Sequence, residues 1–189
     1  FCAIPGFRGR FRSRPLQDLI DESRRLAAQG VRELVLVSQD TMAYGQDIGM
    51  PKGIVTLLRE LARIDELHWI RFLYCYPHTM PDELIQLVAD EEKLCKYFDI
   101  PYQHASRTVL DRMLRGGGRE IYERQIDRIR SLNPNAGIRT SFIVGFPGET
   151  ESDFQELLQF VRNAAFDNVG VFLYSDEEGT GAFSLDQKV

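Results

Sequence analysis

Hydrogen-bonding side chains collect in the segments that directly follow the predicted strands, and all but the last of these segments mix them with Gly, Pro or aromatic residues. These segments begin with Ser38-Gln39-Asp40-Thr41, Tyr76-Pro77-His78, Pro101-Tyr102-Gln103-His104-Ala105-Ser106, Gly145-Phe146-Pro147-Gly148-Glu149-Thr150 and Ser175-Asp176-Glu177. A solvated loop needs only to be polar. The added backbone-shaping residues therefore predict a pocket built to hold a ligand.

Three cysteines and two histidines are the remaining candidates for chemistry. Cys2, Cys75 and Cys95 are odd in number and widely spaced, which argues against a disulfide framework and favours a reducing compartment. Taken without its neighbours, Cys2 is expected to be a buried, apolar thiol, and Cys75 and Cys95 are expected to be core or partly buried thiols. His78 and His104 follow predicted strands and could be metal ligands or bases, although a hydrogen-bonded structural role is the alternative for each.

Composition points to one globular domain with a sizeable core. The chain has 189 residues, of which 43% are hydrophobic and 27% charged, and its net charge is -5. The acidic balance argues against a broad nucleic-acid surface and permits a basic partner. Arginines at positions 8, 10, 12 and 14 form a compact basic stretch, which is either a solvated segment or a guide for an anionic ligand.

No apolar run is long enough to cross a bilayer, which predicts a soluble, cytoplasmic protein that has no membrane partner. Neither end of the sequence resembles a natural boundary, so both ends are expected to be cuts.

The candidate residues above are positioned by predicted strands and helices that alternate along the chain. Strands are predicted at 31–37, 70–74, 97–100, 138–144 and 169–174. The first of them, Val31–Val37, has the apolar run of a strand buried on both faces, as in a parallel sheet. The alternation predicts an α/β fold of right-handed βαβ units, either open or curved into a barrel, with ligands at the carboxyl ends of the strands.

Capping signals and apolar periodicity place the helices between the strands. Pro15 and Gly30 bracket the first helix, and Ser106 could cap another that carries Leu114 inward. Thr150 and Asp153 have the spacing of a capping box. Apolar positions predict further helices around 54–61, 82–88, 120–132 and 154–161.

Two strings of residues resemble one known family. Phe1-Cys2-Ala3-Ile4-Pro5 followed by Arg8-Gly9 matches the end of its CxxxCxxC loop, and Ile143–Thr150 matches its most recognisable motif. The chain resembles the radical S-adenosylmethionine (SAM) methylthiotransferases from Phe1 to about Gly179. The resemblance implies a parallel-stranded, partial TIM-like (β/α)6 barrel of the radical SAM type that lacks its first strand.

The resemblance also implies the domain organisation and the cofactors. Residues 1–189 would form the radical SAM core, with an N-terminal methylthiotransferase domain and a C-terminal TRAM domain lying outside the chain. Cys2 would be one of three thiolate ligands of a [4Fe-4S] cluster whose open iron binds SAM. A second cluster is expected in the N-terminal domain, and flavodoxin or ferredoxin as the electron donor.

The family's SAM contacts can be carried onto matching positions, although no catalytic residue can be assigned. Ser38, Gln39 and Asp40 stand where the methionine amino group is received. Gln103 stands where a side chain meets the ribose or carboxylate. The adenine strand supplies Ile143 and Gly145, Phe172 would flank the adenine, and Arg139 and Ser141 share a strand face with Ile143. Arg139 would then be a partner for the SAM carboxylate.

The substrate follows from the branch of the family. Ser38-Gln39-Asp40, Tyr76-Pro77-His78 and Asp99–Ser106 resemble the branch that adds a methylthio group to the β-carbon of an aspartate in a small-subunit ribosomal protein. The branch that modifies a transfer RNA adenosine is the alternative, and a nucleic-acid partner belongs only to it. A catalytically incompetent fragment of either enzyme is the third possibility, in which the isolated chain would associate or dissolve poorly.

Overall fold

The computed structural model describes residues 4–189, which divide into two compact units. The β1–β3 unit consists of Arg12–Ile100 and Arg128–Gly137. The β4–β5 unit consists of the described residues up to Phe11 together with Pro101–Asp127 and Ile138–Val189.

The β1–β3 unit alternates helices with short parallel strands. Its elements are α2 (Leu16–Ala28), β1 (Glu33–Leu36), α3 (Gly53–Ala62), β2 (Trp69–Phe72), α4 (Asp82–Asp90) and β3 (Tyr97–Asp99). Two 3-10 turns, Thr41–Ala43 and Gln46–Ile48, follow β1. Strands β1 and β2 pair in parallel, with Leu34 opposite Ile70, and a parallel bridge joins Ile70 to Leu94.

The core of this unit is built by the apolar positions that the periodicity selects. Leu57, Leu58 and Leu61 of α3 are buried. Phe72 and Phe98 are also buried and meet edge to face, with ring centroids 6.0 Å apart. The predicted helix and strand periods therefore place the correct side chains inside.

The β4–β5 unit surrounds an aromatic core. Its elements are α1 (Ile4–Arg8), α5 (Arg107–Arg112), α6 (Arg119–Leu132), β4 (Gly137–Val144), α7 (Glu151–Ala164) and β5 (Asn168–Leu173); α6 and β4 each have one end in the other unit. Phe142 of β4 packs edge to face against Phe160 of α7. Tyr102 lies against Tyr122, with ring centroids 4.3 Å apart. Strands β4 and β5 pair in parallel over six residues, from Arg139 opposite Asn168 to Val144 opposite Leu173.

The prediction of an α/β fold with parallel strands is confirmed: within residues 4–189, five strands alternate with helices. The capping box of Thr150 and Asp153 is formed as expected, since each side chain accepts the other residue's backbone N–H. The strand and helix ends differ from the predicted ends by a few residues, as is usual for boundaries.

The prediction that the first strand is buried on both faces is wrong. Strand β1 is only four residues long, and Val35 and Val37 are 47% and 63% exposed, whereas Leu34 is buried. Val35 lies opposite Arg71, whose Nε donates to Glu33 at 2.9 Å. The described residues cover one face of β1 with apolar neighbours and line the other with an ion pair.

Leu114 also departs from the prediction. Helix α5 ends at Arg112, and Leu114 takes the left-handed conformation (φ 53°) with its side chain 89% exposed. The run Gly116–Gly118 that follows, in which each φ is positive, carries the chain out of the helical direction. No helix among the described residues is long and apolar enough to span a membrane.

Candidate functional site

A cavity of about 330 Å³ opens at the carboxyl ends of β4 and β5, within the β4–β5 unit. Its lining combines an amide, hydroxyls and one carboxylate with aromatic and aliphatic side chains. The lining residues are Gln103, Ser141, Ile143, Phe172, Leu173, Tyr174, Ser175, Glu177, Thr180 and Ala182. The structure thus brings together four of the residues predicted to contact SAM: Gln103, Ser141, Ile143 and Phe172.

Gln103 is fixed to the edge of β4 by its backbone. Its N–H donates to the Ser141 carbonyl at 2.9 Å, and its carbonyl accepts from the Ile143 N–H at 2.8 Å. Gln103 takes the left-handed conformation, with φ 71°. A non-glycine residue rarely adopts this conformation, which costs about 1–2 kcal/mol and therefore needs such fixed partners.

Strand β4 divides its side chains between the core and the cavity. Thr140 and Phe142 are buried, while Ser141 and Ile143 on the opposite face line the cavity. This confirms the predicted alternation along the strand. Arg139 shares the face but is exposed, and among the described residues it is not part of the cavity lining.

Strand β5 supplies the aromatic wall. Phe172 lines the cavity although it is 58% exposed, and Leu173 and Tyr174 continue the wall. The ring of Tyr174 meets that of buried Phe146 edge to face, with centroids 5.1 Å apart. An exposed apolar wall beside hydrogen-bonding groups suits a flat, partly polar ligand.

The segment after β5 closes the outer side of the cavity. Thr180 and Ala182 contribute to the lining, and Ala182 is buried. Lys188 holds this segment: its Nζ donates to Asp176 Oδ1 at 2.5 Å and to the Phe183 carbonyl at 2.9 Å. The sequence interpretation missed Thr180 and Ala182, because the only local signal is the pair of glycines that flank Thr180.

Gly145 forms the turn that ends β4 and does not belong to the cavity lining that the described residues form. Its φ is 75°, a left-handed value that glycine adopts without steric cost. Its N–H donates to Glu149 Oε2 at 2.6 Å, and the same oxygen accepts from the Phe146 N–H at 3.2 Å. Gly145 therefore shapes the end of the predicted adenine strand through its backbone.

A buried polar network lies behind this turn. His104 is fully buried, its Nδ1 accepts from the Ser106 N–H at 3.0 Å, and its Nε2 lies 3.5 Å from Glu149 Oε1. The Ser106 hydroxyl donates to Asp153 Oδ1 at 2.5 Å. Burial lowers the pKa of His104 more than the charges of Glu149 and Asp153 raise it, so the ring is neutral at neutral pH.

The residues predicted to receive the methionine amino group lie in the β1–β3 unit, where this segment makes structural contacts. Asp40 caps the 3-10 turn after β1, since its Oδ1 accepts from the Met42 N–H at 3.0 Å. The Thr41 hydroxyl donates to the Leu73 carbonyl at 2.5 Å and lies 3.4 Å from the Ser38 hydroxyl. Gln39 is exposed. The predicted binding roles of Ser38, Gln39 and Asp40 remain predictions.

The predicted cluster ligand, Cys2, lies outside the described residues. Cys75 is buried and Cys95 is half-buried, which confirms that both are core or partly buried thiols. Burial raises the pKa of each thiol and so disfavours the thiolate that iron requires. Residues 4–189 contain no group of three or more His, Cys, Asp or Glu side chains placed to hold a metal ion.

The cavity residues fit the adenosyl part of SAM by their chemistry. Phe172 and Ile143 offer apolar surfaces for a purine, and Ser141 and Gln103 offer a hydroxyl and an amide for the groups of a ribose. The fit of a cluster depends on Cys2, the one cysteine with the family's neighbouring sequence.

A family model described as the radical SAM superfamily matches residues 1–161. The chain is 51% identical over its whole length to a protein of Koribacter versatilis and 48% identical to one of Clostridium tetani. Both relatives are named ribosomal protein uS12 methylthiotransferase RimO. The chain spans 38% and 43% of their respective lengths.

Solved structures share the fold at low sequence identity. Coproporphyrinogen III oxidase (HemN) from Escherichia coli, a radical SAM enzyme, has a TM-score of 0.60 at 17% identity, with 86% of this chain and 37% of that chain covered. Streptococcus suis SuiB bound to S-adenosylmethionine has a TM-score of 0.54 at 15% identity, with 91% and 36% covered.

Proposed function

Because the chain belongs to the radical SAM superfamily, we propose that it supplies the SAM-binding core of an iron–sulfur methylthiotransferase. The substrate would be a small-subunit ribosomal protein, in which the β-carbon of an aspartate receives the methylthio group. The observation that carries this proposal is the cavity at the ends of β4 and β5, which gathers Gln103, Ser141, Ile143 and Phe172. The substrate class is supported by the printed names of the relatives.

In this proposal the cavity holds the adenosyl group. Phe172 and Ile143 would cover the purine faces, and Ser141 and Gln103 would receive polar groups of the ribose. Burial of a flat ring between apolar side chains excludes water from both of its faces. Gly145 would contribute through the turn that ends the adenine strand, and exposed Arg139 would attract the SAM carboxylate by charge.

The remaining contacts extend the proposal to groups outside this cavity. Ser38, Gln39 and Asp40 would receive the methionine amino group, and Cys2 would be a thiolate ligand of the [4Fe-4S] cluster. When bound, the cluster and SAM would supply the electron and the radical that start hydrogen abstraction from the substrate carbon. The second cluster, a flavodoxin or ferredoxin electron donor and a cytoplasmic location all follow from this assignment.

The experiment uses the natural gene product that carries this sequence, prepared without oxygen and reconstituted with iron and sulfide. It is incubated with SAM, a reductant and either ribosomal protein uS12 or transfer RNA, and both substrates are analysed by mass spectrometry. The proposal predicts an aspartate in the ribosomal protein that carries a methylthio group. Modification of the transfer RNA alone would overturn the substrate assignment, and absence of reductive SAM cleavage would overturn the enzymatic assignment.

Two cysteine substitutions, made separately, test the cluster ligand in the same preparation. Cys2→Ser should abolish the iron–sulfur absorbance of the SAM-cleaving cluster and all SAM cleavage, because a hydroxyl is a poor replacement for a thiolate ligand. Cys95→Ser is the matched control, since Cys95 is half-buried and belongs to no metal-ligand group of the described residues. Equal cluster loss in the two variants would contradict the role of Cys2.

A further inference from the structure

We propose that His104 and Glu149 are positioning residues that hold the turn after β3 against the turn after β4. The first turn carries Gln103 of the cavity, and strand β4, which the second turn ends, carries Ser141 and Ile143. This inference deepens the proposed function and rests on it. Neither His104 nor Glu149 belongs to the described lining of the cavity, so both act through their neighbours in the chain.

His104 presents a single hydrogen-bonding group to Glu149. The ring is fully buried, and its Nδ1 accepts from the Ser106 N–H at 3.0 Å. A neutral imidazole that accepts at Nδ1 must carry its proton on Nε2. That N–H group lies 3.5 Å from Glu149 Oε1. The contact is electrostatic, because Nε2 makes no hydrogen bond to any of the described residues.

Glu149 holds the opposite turn. Its side chain is only 5% exposed, and its Oε2 accepts the N–H groups of Gly145 and Phe146. The Glu149 N–H donates back to the Phe146 carbonyl at 2.9 Å. Hydrogen bonds to an ionised acceptor in a buried site are the strong ones, so this carboxylate fixes the backbone immediately after β4.

The pair joins two left-handed points of the backbone, of which only the non-glycine Gln103 is strained. Gln103, which precedes His104, has φ 71°, and Gly145 has φ 75°. The two backbone hydrogen bonds between Gln103 and β4 lie directly before the two turns that the pair holds. A residue kept in the left-handed region persists only when its surroundings determine its position, and the buried pair provides such surroundings.

A catalytic role for His104 does not fit the geometry. The ring has no exposed surface, and both of its nitrogens face groups of the protein within the described residues. A proton acceptor must reach the reacting group directly or through one water molecule. Positioning is therefore the role that the contacts support.

Two substitutions of His104 separate positioning from mere filling of space. In His104→Asn the side-chain oxygen can take the place of Nδ1 and accept from Ser106, but the side chain ends short of Glu149. In His104→Gln the amide nitrogen can reach Glu149 as a donor. The Asn variant therefore keeps the contact with Ser106, and the Gln variant keeps the contact with Glu149. His68 is exposed, so His68→Asn is the matched control for a histidine-to-asparagine substitution.

The experiment measures the dissociation constant for S-adenosylhomocysteine by calorimetry on the cluster-loaded natural gene product, and the folded fraction by circular dichroism. His104→Asn should bind about tenfold more weakly, because it removes the electrostatic contact of the ring with Glu149, while His104→Gln should stay within about threefold of the parent. His68→Asn should bind like the parent. Glu149→Gln, which keeps an oxygen for the two backbone N–H groups, should lose less affinity than Glu149→Ala.

The outcomes distinguish this inference from the proposed function. If the parent does not bind the ligand, the proposed function fails. If the parent binds and folded His104→Asn binds equally well, or if the Asn and Gln variants lose the same affinity, the positioning role is overturned. If His104→Asn does not fold, the comparison of folded Glu149→Gln and Glu149→Ala decides, and equal affinity of those two variants contradicts the proposal.

Discussion

The segment after β1 and the turns after β3 and β4 contain similar polar residues, and the structure uses them differently. After β1, the side chain of Asp40 caps a short turn, and the Thr41 hydroxyl donates to the carbonyl of Leu73, which follows β2. After β3 and β4, backbone groups and a buried pair fix the chain, which leaves the side chains of Gln103 and Ser141 at the surface of a cavity.

This contrast shows that segments with similar polar residues use them in two ways, one to cap a turn and the other to face a cavity. A capping side chain already accepts a hydrogen bond from a backbone N–H group. A residue that is fixed through its backbone groups can instead direct its side chain toward a ligand. Sequence motifs do not separate the two cases, because the same residue types perform both tasks.

The largest effect is expected at the aromatic wall. Phe172→Ala should weaken binding of S-adenosylhomocysteine to the cluster-loaded protein by a factor between about 5 and about 150, the range for removing one ring that stacks on a base. Val171→Ala is the matched control, because Val171 is 60% exposed and is not part of the described lining. Calorimetric titration of both variants measures the difference, and equal losses would remove the aromatic wall from the site.

Substitution of Asp40 should change the free energy of unfolding more than it changes ligand affinity. Asp40→Ala should lower the free energy of unfolding by about 1 kcal/mol, as for loss of a capping side chain, while Asp40→Asn should lower it less because Asn also caps. Urea denaturation of the two variants measures this. Should the Asn variant keep its stability and lose ligand affinity, the segment after β1 would have a binding role in addition to capping.

Gly145→Ala tests the turn after β4. Alanine at a φ of 75° should cost about 1 kcal/mol of folding free energy, since a Cβ disfavours the left-handed region. Gly181→Ala is the control, because Gly181 has no positive φ and a Cβ there would meet no atom within 4 Å. Thermal unfolding of the pair gives the difference, and an unchanged Gly145→Ala variant would show that the turn tolerates another conformation.

The smallest effect is a pH dependence from His104. Because its pKa is lowered from 6.5 in the folded protein, the unfolded chain takes up a proton that the folded chain resists as pH falls below about 6.5. Stability should therefore decline from about pH 7.5 to about pH 5.5 and decline less in His104→Gln. The charges of Glu149 and Asp153 oppose the effect of burial on the pKa of His104. The lowered pKa of Asp153 affects the pH dependence of stability only near and below pH 3.8, its ordinary pKa. Identical pH profiles for parent and variant would contradict the neutral, buried state of His104.

The sequence predicted the elements because their signals are local. The apolar spacing of Leu57, Leu58 and Leu61 and the capping box at Thr150 depend only on residues a few positions apart. The alternation in β4 likewise placed Ser141 and Ile143 on one face. These features needed no knowledge of distant contacts.

Other features depend on groups far apart in the sequence and were missed for that reason. The exposure of Val35 follows from the strand register, which places Arg71 beside it. The roles of Thr180 and Ala182 follow from the path of the last segment and its attachment through Lys188. The type of a single residue, such as valine, does not determine which distant side chain it will contact.

In the proposed function, the cavity at the ends of β4 and β5 holds the adenosyl group of SAM. A crystal structure of the natural gene product, reconstituted without oxygen and soaked with SAM, would show where the ligand binds. Adenine is expected in contact with Phe172 and Ile143, and ribose within hydrogen-bonding distance of Ser141 or Gln103. Adenine bound elsewhere, with the side chains of this cavity in contact only with solvent, would overturn the proposed site.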